Sequence, residues 1–389
     1  MNSFTSTSDS SATQSRMMAS YLRYFAGFML LLLAGLLASS YWIDPYGVWQ
    51  ASDSWPRKVA AADKVRQIKS YQGARQDPAV LIVGNSRVEI GLPPSHPFYQ
   101  GRVYNLGLPG AGVVMQYDYA WHLIRSGSGV KQLLLAVDFV DFLNDKPTDL
   151  SLKGDWQQRL DYWLAAPDRA QPNRWLQATE QLSLLFSQTA LQDSAFTLLG
   201  QQRDLNALAV NGFNDGRLYH NIVRTEGFAA LYQQKIAELE QRLQRPGLGF
   251  DLAGKELLAL DTFLQLLQRQ GIAVTLFINP YQYQYLDLIE QHGLQPAFVA
   301  WKNAVQQVAA RYHLPLYDFA IRSEPVSTAV TLASKRLQDN RYFWEPAHYR
   351  RAFGELMLDV WQQQRCKLRV EGRELTLCQL YLPAAQPAP

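Results

Sequence analysis

From Tyr24 to Ile43 the chain carries no charged side chain over 20 consecutive positions. At 1.5 Å per residue that is about 30 Å of helix, the thickness of a bilayer's hydrocarbon core, so the run predicts a membrane-spanning helix. A cleaved signal peptide and a buried core helix are the competing readings. The length, the aromatic residues at both ends and the lack of a small-x-small cleavage site at Ser39-Ser40 favour a retained anchor. Arg16 and Arg23 precede the run, Asp44 and Asp53 follow it, and the next basic pair is Arg57-Lys58. That bias places the N-terminus inside and the body outside. The Ser/Thr-rich start reads as part of a disordered cytoplasmic tail over 1–23.

Beyond a membrane-proximal linker with a helical or irregular lead-in (44–78), short continuous apolar runs alternate with helical periodicity. Ala79–Val83 is the continuous run expected of a central parallel strand, and Val103–Leu106, Leu133–Val137, Ile272–Ile278 and Pro315–Phe319 are four further strand candidates. Helices are predicted over Val113–Ser126, Gly254–Gln270, Gln295–Arg311 and Ala347–Gln363. This is an α/β pattern. The strand rhythm breaks once, from Phe139 to Phe250, where Trp- and Gln-rich stretches and the amphipathic run Phe228–Leu243 suggest an inserted helical cap (about 140–250) on a body spanning 79–365. The chain closes on a hairpin and tail over 366–389, with an Ala/Pro-rich end from Leu382 read as frayed.

Composition sharpens this picture in three ways. The 389 residues are 18% charged, low for a soluble protein, and 17 Phe, 20 Tyr and 10 Trp supply large surfaces that need burial or a ligand. A net charge of +3, dispersed along the chain, argues against a nucleic-acid partner. The two cysteines, Cys366 and Cys378, flank a two-strand pattern around Glu371-Gly372-Arg373. Pairing Leu368 with Leu377 and Val370 with Leu375 builds an apolar face and leaves the cysteines out of register. A three-residue turn centred on Gly372 sets the cysteines opposite and spoils that face, and a bulge reconciles the two, so a disulfide stays an open alternative. Neither cysteine has a metal-ligand neighbour at short spacing, and the histidines at 96, 122, 220, 292 and 313 form no ligand pattern. No metal and no cofactor is expected.

Three separated segments carry chemistry. Gly84-Asn85-Ser86-Arg87 follows the first strand, where a sharp turn can present the Ser86 hydroxyl at the sheet's carboxyl edge as a nucleophile. The alternative for Ser86 is a helix cap, and for Arg87 an ion pair or a clamp on a substrate carboxylate. Asn105-Leu106-Gly107-Leu108-Pro109-Gly110-Ala111-Gly112 follows the second strand and can expose backbone N–H groups to an oxyanion. It lacks the glycine order and the Lys-Ser/Thr of nucleotide loops, and a plain tight turn is the bland reading. In Tyr342 to Arg350, Glu345 precedes His348 by three residues and Pro346 sits at an expected helix start. An imidazole general base needs one nitrogen toward the hydroxyl and a partner on the other, the roles open to His348 and Glu345. A packed histidine and an acid favoured by the helix dipole are the alternatives.

Together the three segments resemble the SGNH (GDSL-like) hydrolase superfamily, in particular its membrane-anchored exported branch with the alginate O-acetylation proteins and the D-alanine transfer protein of teichoic acid synthesis. Ser86 in GNSR matches the first block, Gly110 in NLGLPGAG the second, and Glu345 with His348 the last, normally Asp-x-x-His. The resemblance implies a flavodoxin-like three-layer sandwich with a central parallel sheet of about five strands. It also implies a Ser86-His348-Glu345 triad, with the Ser86 and Gly110 N–H groups as an oxyanion hole. Two departures stand out. Asp138, in Ala136-Val137-Asp138-Phe139, replaces the expected Asn donor with a charge that opposes an oxyanion, leaving Asn279 in Ile278-Asn279-Pro280 as a substitute donor. Glu345 replaces Asp, with Asp318 as a reserve acid.

The resemblance further implies a serine O-acyltransferase or esterase for acetyl or similar groups of an exopolysaccharide or envelope glycan. It would be a single-pass protein of the bacterial inner membrane with its body on the extracytoplasmic side, served by a multi-spanning acyl-donor protein. The competing expectation is a glycan-binding or assembly protein of the same fold with an impaired site. Some of the aromatic surplus is expected to line a groove near Ser86.

Overall fold

The computed structural model describes residues 8–49, 56–127, 129–144, 159–160, 173–203 and 205–383. Helix α1 (Ser8–Ile43) is continuous and is long and apolar enough to cross a membrane. The stretch expected as a disordered tail is therefore helical from Ser8 onward, because its Ala, Gln, Arg and Met residues are good helix formers that extend an existing helix at little cost. Residues 1–7, at the start of that expected tail, lie outside the described residues, as does 384–389 in the expected frayed end. The chain leaves α1 at Asp44 (φ +44°), whose carboxylate accepts from the Val48 and Trp49 N–H groups at 2.9 and 2.8 Å. The lead-in then forms a 3-10 turn (Val59–Lys64) and helix α2 (Val65–Gln76). Both are bolted to the end of α1. Lys58 Nζ donates to the Ile43 carbonyl at 2.9 Å and Gln72 Nε2 to the Tyr46 carbonyl at 2.6 Å.

The sheet follows from the apolar runs. Strands β1 (Val80–Gly84), β2 (Val103–Gly107), β3 (Gln132–Val137), β4 (Ala273–Ile278) and β5 (Leu316–Asp318) are parallel in the order β2-β1-β3-β4-β5, a doubly wound arrangement. Short helix α3 (Ser86–Gly91) follows β1, and α4 (Val113–Arg125) follows β2. The insertion contributes α5 (Arg174–Leu185), α6 (Gln188–Leu199), α7 (Arg217–Glu226) and α8 (Phe228–Leu243). Helix α9 (Lys255–Arg269) leads into β4, α10 (Tyr283–Gln291) and α11 (Gln295–Arg311) lie between β4 and β5, and α12 (Glu324–Ser327) follows β5. A bent hairpin, β6 (Phe343–Glu345) and β7 (His348–Tyr349), precedes α13 (Arg351–Gln363).

Three expectations change here. The helix predicted from Ala347 begins at Arg351, because Pro346 and Ala347 form the turn between β6 and β7 instead of a helix start. The terminal hairpin, β8 (Lys367–Val370) and β9 (Arg373–Thr376), closes through a two-residue turn with Glu371 and Gly372 at φ +51° and +82°, pairing Leu368 with Leu375. Neither expected register occurs. The tight turn buries both leucines, and the Leu377 N–H bonds the Cys366 carbonyl beyond the paired residues while Cys366 and Cys378 join in a disulfide. Finally, β10 (Gln379–Tyr381) adds a sixth, antiparallel strand on β5, so the C-terminal segment belongs to the central sheet.

Gly354 lets α3 and α13 meet backbone to backbone, and Gly91 makes room for the Tyr349 ring of β7. A Cβ on Gly354 would fall 2.0 Å from the Gly91 carbonyl oxygen, and one on Gly91 would enter the Tyr349 ring at 2.2 Å. Gly354→Ala is expected to destabilise the protein by roughly 1–3 kcal/mol through overpacking, read as a lowered thermal unfolding midpoint in detergent.

Candidate active site

Ser86 is placed by β1. The all-buried strand ends at Gly84, where a Cβ would sit 2.9 Å from both Ala136 Cβ and Val88 Cγ2, and Asn85 then caps α3 by accepting from the Arg87 N–H at 3.0 Å. Ser86 becomes the first residue of α3. Asn105 in β2 holds that helix from behind, donating to the Val88 and Leu92 carbonyls at 2.8 and 3.0 Å.

His348 and Glu345 face each other as a cross-strand pair of the tight β6-β7 hairpin. His348 Nε2 lies 2.7 Å from Ser86 Oγ, and His348 Nδ1 bonds Glu345 Oε1. The second Glu345 oxygen accepts from the Ala347 N–H at 2.7 Å. Glu345 is fully buried, which alone would raise its pKa. The His348 charge and hydrogen bond and the Ala347 N–H outweigh that and hold its pKa below the usual carboxylate value. The three side chains thus converge into a relay in which the acid fixes the imidazole tautomer. Asp318, the reserve acid, is instead paired with Lys302 at 2.7 Å and the Ala320 N–H at 2.9 Å.

Gly110 lines the same cavity as Ser86 and His348, at φ +63°, a backbone conformation glycine adopts freely. Among the described residues, neither the Gly110 nor the Ser86 backbone N–H has an acceptor. Helix α2 positions this loop: Arg66 Nε donates to the Pro109 carbonyl and Lys69 Nζ to the Gly107 carbonyl, each at 2.5 Å. Lys69 also pairs with Glu89 of α3 at 3.1 Å, wholly inside the protein. Burial pulls the Lys69 pKa down and pushes Glu89 up, and each charge partly offsets the shift of the other.

Asp138 and Asn279 do not play the roles expected of an oxyanion donor set. The Asp138 carboxylate accepts from Arg87 Nη1 and Tyr281 OH on one oxygen, both at 3.0 Å, and from the Asn85 and Asn279 amides on the other, at 2.7 and 2.8 Å. Its charge is therefore spent on a buried hub. Asn279, fully buried against that hub, is not among the residues lining the cavity, so it does not replace the missing donor. Arg87 is an ion-pairing residue: besides Asp138, its Nε donates to the Ala347 carbonyl at 2.7 Å, and its guanidinium lies 4.9 Å from the Tyr281 ring centroid.

The cavity encloses about 220 Å³, and α8 of the insertion closes one side with Lys235, Glu238, Leu239 and Arg242. Its wall mixes charged side chains with the apolar Val140, Leu239 and Ala347. Asp141, bonded by Asn85 at 2.9 Å and Gln116 at 3.1 Å, has its pKa pushed up to about 6 by burial and then by Asp138. Beside the imidazole, Tyr219 of α7 stacks on Trp344 and lies tilted against His348, its ring centroid 5.7 Å from each. Trp344 lines a neighbouring cavity of about 480 Å³ with Phe213, Arg217, His220 and Arg350. The expected aromatic lining near Ser86 is thus Tyr285 in the first cavity and Phe213 and Trp344 in the second. Sequence reasoning missed Arg66, Lys69, Tyr219 and the Tyr281-Tyr285 pair. The tyrosines carry a signal in their one-turn spacing after Asn279-Pro280, whereas Arg66 and Lys69 act on distant carbonyls that no residue pattern marks. Among the described residues no group of His, Cys, Asp and Glu is arranged to hold a metal.

Comparisons with protein-family models, with curated proteins and with solved structures return no match.

Two outcomes follow from the hub. Asp138→Asn is expected to lower stability by roughly 3–5 kcal/mol by stripping buried Arg87 of its counter-charge, seen in urea unfolding, without improving reactivity at Ser86. Asp141 binds its proton more tightly folded than unfolded, so stability is expected to fall as pH rises from about 4 to about 6 and to level off above. Asp141→Asn should remove that slope from unfolding midpoints measured across the window.

Proposed function

We propose that the protein is a membrane-anchored serine acyl-transfer enzyme of SGNH type. The observation that carries the reading is the Ser86 Oγ to His348 Nε2 contact of 2.7 Å, with buried Glu345 on the other imidazole nitrogen. His348 takes the Ser86 proton as Oγ attacks an ester carbonyl, and the free Ser86 and Gly110 N–H groups receive the oxyanion. Collapse returns the proton from His348 to the leaving alcohol and leaves an acyl-serine. A second hydroxyl, deprotonated by His348, attacks that ester and regenerates Ser86.

A cavity of about 220 Å³ with Asp141, Lys235, Glu238 and Arg242 on its wall fits a short acyl group such as acetyl and disfavours a long lipid chain. The neighbouring Trp344-bearing cavity offers an aromatic face to a sugar ring. With the resemblance to the exported acetylation branch, this supports a glycan hydroxyl as acceptor, an extracytoplasmic body and a multi-spanning membrane partner as acyl donor. One observation favours the second reading, a glycan-binding protein with an impaired site. The Asn85 amide is spent on Asp138 and Asp141, and Asn279 bonds Asp138 away from the cavity, so neither serves as a third oxyanion donor, a loss worth roughly 10²–10³ in rate.

A fluorophosphonate serine probe tests the choice. Wild-type protein is expected to label, Ser86→Ala to be inert, and His348→Ala and Glu345→Gln to label more slowly, the former by roughly 10²–10⁴-fold. Labelling that ignores Ser86→Ala and His348→Ala rejects the site, and an inert wild type selects the binding protein.

A further inference from the structure

The helical hairpin α5-α6 exposes several large apolar side chains among mostly uncharged polar ones such as Gln181, Ser183 and Gln188, while Leu184 and Ala190 fill its inner face. Between Arg174 and Leu199 it carries three ionisable side chains, Arg174, Glu180 and Asp193. The two acids face the protein: Glu180 bonds Arg159 at 3.0 Å, and Asp193 bonds Tyr46 OH at 2.5 Å and Lys64 at 3.5 Å. Several apolar residues face out. On α5, Trp175 and Leu182 are seven residues apart, which places them on one stripe, 78% and 58% exposed, and Phe186 just past the helix end is also exposed. On α6, Ala195, Phe196 and Leu199 continue an uncharged surface, with Leu199 77% exposed. Water does not favour such a face.

Its position says what covers it. The hairpin packs on the last turns of α1, where Leu36 and Leu37 are half-buried and Ser40 and Ile43 buried along one side of that helix. Tyr41 and Trp42 remain exposed there, the aromatic pair expected where a span meets the headgroups. A helix pair flanking the final turns of a membrane span stands at the height of the acyl chains and headgroups of that leaflet.

We propose that α5-α6 is a second membrane element, lying in the interface of the leaflet in which α1 ends, with Trp175, Leu182, Phe186, Phe196 and Leu199 in contact with lipid. The proposal rests on α1 crossing the bilayer. It makes the body a docked object instead of a domain on a free stalk: Tyr46 and Lys64 of the lead-in hold the hairpin, and the same lead-in continues into α2 beneath the Gly107–Gly110 loop.

Full-length protein in nanodiscs provides the test, with the Trp175 signal taken as the fluorescence difference between wild type and Trp175→Phe, and the Trp42 signal taken likewise from Trp42→Phe. The expected result is that lipid brominated on the acyl chains quenches both signals, while aqueous iodide leaves Trp175 bright. Trp175 quenched by iodide and untouched by brominated lipid overturns the proposal. So does Trp175 shielded from both quenchers, which points to a protein partner or a second copy on this face. In either case a quenched Trp42 shows that α1 is still inserted, whereas Trp42 spared as well shows that the spanning reading has failed first.

Discussion

The ion pair of Arg87 with Asp138 is the contact on which the rest of the site depends. Arg87 is next to Ser86 in sequence, and its guanidinium spans from the end of β3, where Asp138 sits, to the Ala347 carbonyl in the β6-β7 turn. One buried cation thereby joins the helix that begins at Ser86, the middle of the sheet and the loop that carries the imidazole. Desolvation works against that charge, and Asp138, with Tyr281, Tyr285 and Asp141 adding to it, holds the guanidinium firmly protonated. The carboxylate at 138, which reads as a defect beside an oxyanion, is the counter-charge that lets Arg87 be buried at all.

The sheet is legible in the chain because its five parallel strands are short, largely apolar runs, unbroken in β1 and interrupted by a single polar residue in β2 and β4. Strand β10 is not, since an edge strand of three residues with a polar first position looks like loop. Ser86, His348 and Glu345 are recognisable from residue type and from their places after strands. Pro346 misleads because the same residue serves a helix start and a tight turn equally well, and only the pairing of Glu345 with His348 separates the two. The work of Arg66 and Lys69 is invisible for another reason. Both donate to backbone carbonyls some forty residues away, and a carbonyl has no letter in the sequence.

The insertion has two jobs that its composition does not separate. Helix α8 presents charged side chains to the Ser86 cavity, and α7 sets Tyr219 against the imidazole, so these two helices shape what reaches the serine. The earlier pair, α5 and α6, turns Asp193 toward Tyr46 and Lys64 of the lead-in and packs on α1. Both pairs are amphipathic, and only the side on which each buries its polar residues tells them apart.

Lys58 makes the boundary between α1 and the body a poor place to cut. Its ammonium is buried and takes the carbonyl of Ile43, the last residue of α1, as one of its ligands, while Gln72 reaches back to Tyr46 just beyond. A secreted fragment starting after Ile43 would lose an acceptor from a desolvated cation and loosen the support under α2. A defect in such a trimmed protein would then report damage to its foundations, and say little about the intact one.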